Sequence, residues 1–161
     1  MPRYIDATEI KLTSRDKIFV DAQFFDGTYM EGLEPHRLFP MSGPNRYVAL
    51  MDAQGEAVCI IPNIDDLMPQ SREVISSALN EYYMIPKIKK VIKWNSHYGA
   101  HIWTVETNHG LTKIEIIDSS NHVKRLYDDR VLIKDGADNR YEIPNINNLD
   151  ARSIKLITPD I

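Results

Sequence analysis

Residues 61–67 read Ile61-Pro62-Asn63-Ile64-Asp65-Asp66-Leu67, and residues 143–149 read Ile143-Pro144-Asn145-Ile146-Asn147-Asn148-Leu149, so one short phrase of packing and turn residues occurs twice. The flanks keep the same order. Ahead of each copy lies a β-rich run ending in aspartate, Tyr47-Val48-Ala49-Leu50-Met51-Asp52 and Arg130-Val131-Leu132-Ile133-Lys134-Asp135. Ahead of each run lies Arg37-Leu38-Phe39 or Arg125-Leu126-Tyr127. Similarity that extends in order is the mark of a repeated structural unit. Further upstream Gly27 and Gly110 each precede a β-rich run, although identities there are sparse. The expected architecture is α+β, mainly β: two pseudo-repeated small β units, at about 17–68 and 101–157, bridged by one amphipathic helix within a single domain.

The run Lys17–Phe25 followed by Asp26-Gly27 and Thr28–Glu31 predicts a hairpin, since Asp-Gly readily takes the positive φ of a tight turn. Pro35, Pro40, Gly43 and Pro44 then interrupt regular structure, and strands at 46–52 and 57–62 flank Gln54-Gly55. Pro69 opens a helix whose Val74, Ile75, Ala78, Leu79, Tyr82 and Tyr83 follow the spacing of a core-facing stripe, and Ile85-Pro86 ends it. Strands are expected again at 87–94, 101–107, 111–117, 130–134 and 140–143, with a final strand or short helix near 153–157.

A chain of 161 residues can bury a sizeable core without a metal or disulfide staple. Its formal charge of −4 argues against a general nucleic-acid binder, which needs an excess of Lys and Arg to neutralise phosphates. The single cysteine, Cys59, sits in an apolar run and reads as a buried, inert thiol. With no charged-then-apolar leader and no apolar run near the roughly 20 residues that span a bilayer, a cytoplasmic location without membrane insertion is expected.

The strongest binding candidate is the basic stretch Lys87, Lys89, Lys90 and Lys93 with Trp94 and Tyr98, a composition suited to an anionic polymer or a partner's acidic face. The structural alternative is a lysine-edged strand guarded against aggregation. Asp65 and Asp66 could serve as a carboxylate pair, but Asn147 and Asn148 stand in their place in the second copy, which favours a turn or cap role. His97 and His101 have helical metal-ligand spacing, yet Gly99 lies between them in a β-like setting and reads as a polar turn. His36, His109 and His122 carry no motif. Asp135, Asp138 and Asn139 read as a hairpin turn, because a calcium loop's central glycine and distal glutamate are missing. No phosphate loop or nucleophile elbow occurs, so no catalytic residue, metal or cofactor is assigned. Arg37 and Arg125 are expected to be equivalent salt-bridged framework residues.

Pro35-His36-Arg37-Leu38-Phe39-Pro40-Met41-Ser42, Trp103-Thr104-Val105-Glu106-Thr107 and Asp138-Asn139-Arg140-Tyr141-Glu142-Ile143-Pro144 resemble DUF1854, a bacterial domain family of unknown function. The resemblance runs from about residue 15 to 157. It implies a cytoplasmic accessory module, in a family whose members are associated with cyanophycin metabolism or appended to ATP-binding cassette transporters. If the cyanophycin association applies, Lys87 to Lys93 would meet a ligand's carboxylates and Asp65, Asp66, Asp128 or Asp129 its guanidinium groups. The expected function is non-catalytic binding of a protein partner or a small zwitterionic or peptide ligand, with a homodimer through exposed strand edges as a third reading. The alternative is a small hydrolase or isomerase of peptide-like amino acid derivatives using Asp65, Asp66 and one of His97, His101 or His109.

Overall fold

The structure, a computed structural model, describes residues 3–161. The chain forms two compact units, the first ending at Met84 and the second spanning Ile85–Ile161.

The first unit contains β1 (Arg3–Tyr4), β2 (Ile10–Asp16), β3 (Phe19–Phe24), β4 (Tyr29–Arg37), β5 (Arg46–Met51), β6 (Ala57–Asn63) and the helix α1 (Pro69–Met84). They form one six-stranded sheet in the order β1-β6-β5-β4-β3-β2, antiparallel except for the short β1–β6 pair. Strand β2 shows why the sheet has a core face: Ile10 and Leu12 are buried while Lys11 and Thr13 are not, the two-residue period of a half-buried strand. Ile75, Ala78 and Leu79 of α1 join Leu12, Val20, Leu33, Val48, Leu50 and Ile61 in one cluster. Each such aliphatic side chain contributes about 1.5–3 kcal/mol on burial. The expected first strand at 17–25 starts later, since Lys17 and Ile18 form the turn between β2 and β3, and β2 lies where no strand is expected. The helical stripe is also narrower than expected. Val74 and Tyr82 are half-buried and Tyr83 is exposed, while Ser71 joins Ile75, Ala78 and Leu79 as the buried residues of the helix.

The second unit contains β7 (Ile88–His97), β8 (Ala100–Thr107), β9 (Gly110–Ile116), the short helix α2 (Ser119–His122), β10 (Val123–Arg125), β11 (Val131–Lys134), β12 (Arg140–Ile143) and α3 (Ala151–Ile157). Its strands form two three-stranded sheets, β7-β8-β9 and β10-β11-β12. Both contribute to one core that includes Val91, Trp103, Ile114, Val131, Ile143 and Ile157. The ambiguous segment near 153–157 is helical, started by the Asp150 carboxylate accepting from the Ser153 N–H.

The same bonding frame recurs in both units. Ser71 Oγ accepts the Leu12 N–H at 3.0 Å, and Ser153 Oγ, 82 positions later, accepts the Val91 N–H at 2.9 Å. Asp52 accepts the N–H groups of Gln54 and Glu56, as Asp135 does those of Ala137 and Asn139. Asn63 and Asn145 each cap the turn that follows, accepting from Asp65 and Asn147. Gly27 and Gly110 stand at corresponding hairpin turns with φ of +93° and +104°, a region that disfavours residues with a Cβ. One long strand differs. β4 pairs with β3 through Leu33 and with β5 from Glu34 onward, whereas β9 and β10 divide these tasks on either side of α2.

Candidate functional site

The basic stretch lies on β7, an edge of its sheet. Ile88 and Val91 point inward while Lys89, Lys90 and Lys93 are exposed, with irregularities in the pairing at Ile88/Lys90 and Val91/Lys93. Lys87 is 3.4 Å from the buried Glu142 carboxylate. Trp94 does not join the lysines on the surface, since its indole N–H donates to the buried Asp160 carboxylate at 2.9 Å. Tyr98 is fully exposed at the β7–β8 turn, at a φ of +50° beside Gly99, with its ring against His97.

Asp65 accepts from Asn45 Nδ2 at 3.3 Å, and in the second unit Asn147 Nδ2 donates to Asp129 at 2.9 Å. The same side-chain latch is thus made with donor and acceptor exchanged, which accounts for Asp in one copy and Asn in the other. Asp66 shares the short 3-10 turn Ile64–Asp66. Asp128 and Asp129 sit in the β10–β11 connection, each with a φ of +57°. Hydrogen bonds from Arg140 and Lys134 hold the exposed Asp138 carboxyl down at about 2. Cys59 is fully buried, and burial pushes its thiol up to about 11.

The histidines divide by role. His97 closes β7 and His101 belongs to β8, on the strand expected at 101–107 and across the Gly99 turn. Its Nδ1 hydrogen-bonds Asp160, whose side chain also accepts the Trp103 indole N–H at 2.8 Å. Asp160, in the 3-10 turn Thr158–Asp160, therefore gathers both tryptophans of the chain and one histidine. Sequence reasoning gave no sign of this residue, because its partners are 57 to 66 positions away. His36 Nε2 lies 2.6 Å from the buried Glu34 carboxylate. It lines, with Pro35, Arg37, Leu79, Tyr82 and Tyr83, a cleft of about 150 Å³. Among the described residues no three His, Cys, Asp or Glu side chains group as a metal site.

Beside that cleft, the connection from β4 to β5 presents the most unusual surface of the first unit. Leu38, Phe39 and Met41 are 46%, 51% and 96% exposed. Their backbone is ordered: Gly43 N–H donates to Phe39 O at 2.9 Å, Arg46 N–H to Gly43 O at 3.1 Å, and Ile64 N–H to Asn45 O at 3.0 Å. Tyr47 takes a φ of +57°, strained for an aromatic residue, and its ring meets those of Phe39 at 5.7 Å and Tyr4 at 6.3 Å. Arg37 donates from Nε to Pro44 O and lies over the Tyr83 ring, and Arg46 lies over the Tyr47 ring. From Pro35 to Met51 the chain has no Asp or Glu.

The expected equivalence of Arg37 and Arg125 as salt-bridged residues fails on the first of the pair. Arg125 is 3.5 Å from Asp129, but Arg37 and Arg46 reach no carboxylate among the described residues. The cause is the connection itself. Arg37 pairs with Val48 eleven positions on, and Arg125 with Val131 only six on, and the longer segment holds no acid where the shorter has Asp128-Asp129. The acid-free interval and the unequal spacing are both readable in the sequence.

Among the described residues no helix is long and apolar enough to cross a membrane. No curated protein and no solved structure matches the chain. The family model described as "Domain of unknown function (DUF1854)" matches residues 30–159, which covers most of both units, and the chain belongs to that family.

Proposed function

We propose that the chain is a non-catalytic, cytoplasmic binding module whose first unit docks a protein partner through the β4–β5 connection. The observation that carries this reading is an exposed Leu38-Phe39-Met41 surface on a backbone tied by hydrogen bonds and carrying a strained Tyr47. A backbone already tied in place has less conformational freedom to lose on binding, and strain of this kind clusters at functional sites. The family resemblance suggests where the partner belongs: a cyanophycin-handling enzyme or an ATP-binding cassette transporter. Lys89, Lys90 and Lys93 of β7 remain a second, weaker surface for anionic groups.

The test compares affinity capture from the native host's lysate by the tagged wild-type chain and by Phe39→Ser/Met41→Ser. A protein retained by the first and lost by the second, with both chains equally folded, supports docking through this face. Equal capture by both, or no protein specific to the wild type, rejects it.

One observation favours the alternative hydrolase or isomerase reading. Asp160 is buried and fixes Nδ1 of a partly exposed histidine, the arrangement that leaves Nε2 free to carry a proton. Loss of a measured hydrolytic activity in His101→Gln at unchanged stability would support it, and unchanged activity would remove it.

A further inference from the structure

The two units supply an internal control for the docking face. In the second unit, each arginine of the β10–β11 connection has a carboxylate of its own: Arg125 meets Asp129, and Arg130 makes a hydrogen bond of 2.6 Å to the buried Glu142. Arg130 also stands where Tyr47 stands in the first unit, because Leu126 N–H donates to Arg130 O as Leu38 N–H does to Tyr47 O. In the first unit the corresponding connection keeps Arg37 in the place of Arg125, carries Arg46 next to the Tyr47 that stands for Arg130, and has no acid. Arg37 and Arg46 lie over aromatic rings, with guanidinium donors that no carboxylate engages among the described residues. A guanidinium presents a planar fork that fits a carboxylate in two-point contact. The exposed Leu38, Phe39 and Met41 beside it suit apolar side chains.

Resting on the docking reading above, we infer that the partner segment is an acidic peptide in which Asp or Glu lies next to a large apolar residue. Its carboxylate takes the place toward Arg37 that Asp129 takes toward Arg125, and its apolar side chain packs on Phe39 and Met41. The partner completes in trans an ion pair that the second unit makes within itself. Arginine without accompanying lysine, and the carboxylate precedent in the second unit, favour an acidic peptide over an anionic lipid surface.

The test begins with selection of phage-displayed 12-residue random peptides on the immobilised full-length chain. The selected peptide, fluorescently labelled, is then titrated against the wild type, Arg37→Ala, Phe39→Ser and the charge-neutral pair Asn45→Asp/Asp65→Asn. That pair copies the Asp129–Asn147 latch and supplies an internal carboxylate beside Pro44, whose carbonyl Arg37 already holds. Expected are selected peptides rich in Asp or Glu beside Leu, Phe, Tyr or Trp, with binding weakened about tenfold or more by Arg37→Ala and by the exchanged pair, at melting temperatures close to wild type. If Phe39→Ser abolishes binding while both charge variants bind normally, the face is a docking site and the acidic partner is wrong. If no peptide is selected, or none of the variants weakens the selected one, the docking face falls as well. Arg37-dependent co-sedimentation with phosphatidylserine vesicles, without peptide binding, would assign the surface to a membrane and overturn the inference.

Discussion

At the residue scale, two buried carboxylates and an exposed one show how differently the same side chain is used. Asp160 accepts two indole N–H groups and bonds one imidazole, so removing it strands three groups, of which the Trp103 indole N–H is fully buried. Asp160→Ala should destabilise the second unit by about 2–5 kcal/mol, a buried-donor penalty multiplied over three partners. Both tryptophans of the chain sit on this carboxylate, so denaturant unfolding followed by tryptophan emission reads the loss directly. Asp21 is different. Burial pushes its carboxyl up, but the Arg15 hydrogen bond, the Gly32 N–H and the Arg15 charge together outweigh that and hold it below its ordinary value of 3.8. A depressed folded-state value stabilises the fold fully above the unfolded value and is lost as pH falls through the folded one. The wild type should therefore lose melting temperature below about pH 4 more steeply than Asp21→Asn, and parallel melting curves against pH would contradict this. Asp65 is an exposed latch to Asn45 rather than the cap that its Asn counterpart in the second copy favours; the capping side chain is that of Asn63.

At the scale of elements, the strands and the main helix were legible wherever short-range pattern determines them. α1 begins at the proline that announced it, β5, β6, β8, β11 and β12 fall on their β-rich runs, and Asp26-Gly27 turns the β3–β4 hairpin. β2 was missed because Ile10 and Leu12 are its only buried residues, too few for alternation to stand out. The division of β4 into β9 and β10 in the second unit was illegible for another reason: it depends on where each half finds a partner strand. The helix–strand bond made by a serine belongs to this scale too. Ser71 and Ser153 each satisfy a buried strand N–H, and Ser153 also donates toward Val91 O and Asp150. Ser71→Ala and Ser153→Ala should each cost about 1–3 kcal/mol, the second more than the first, as measured by thermal or chemical denaturation. A loss confined to one of the two would break the proposed equivalence of α1 and α3.

At the scale of the whole molecule, each unit assembles its own apolar core, one from residues between Ile5 and Leu79 and the other from residues between Ile88 and Ile157. The repeated phrase occurs once in each unit, and packing and turn residues are what a repeat preserves. The candidate site was less readable, because it lies where the copies differ: the basic stretch that composition favoured is an exposed edge-strand face with its tryptophan turned inward, while the docking face sits in a segment set aside as a Pro- and Gly-rich connection. The account's central claim is that both units share one frame and that binding resides in the segment added to the first. Replacing Leu38–Tyr47 by Leu-Tyr-Asp-Asp-Arg, the second unit's connection, tests it most directly in the full-length chain. The account predicts a folded protein, melting within about 5 °C of wild type, that no longer retains the captured partner or the selected acidic peptide. A chain that fails to fold would show that the segment belongs to the frame, and one that folds and still binds would place the site elsewhere.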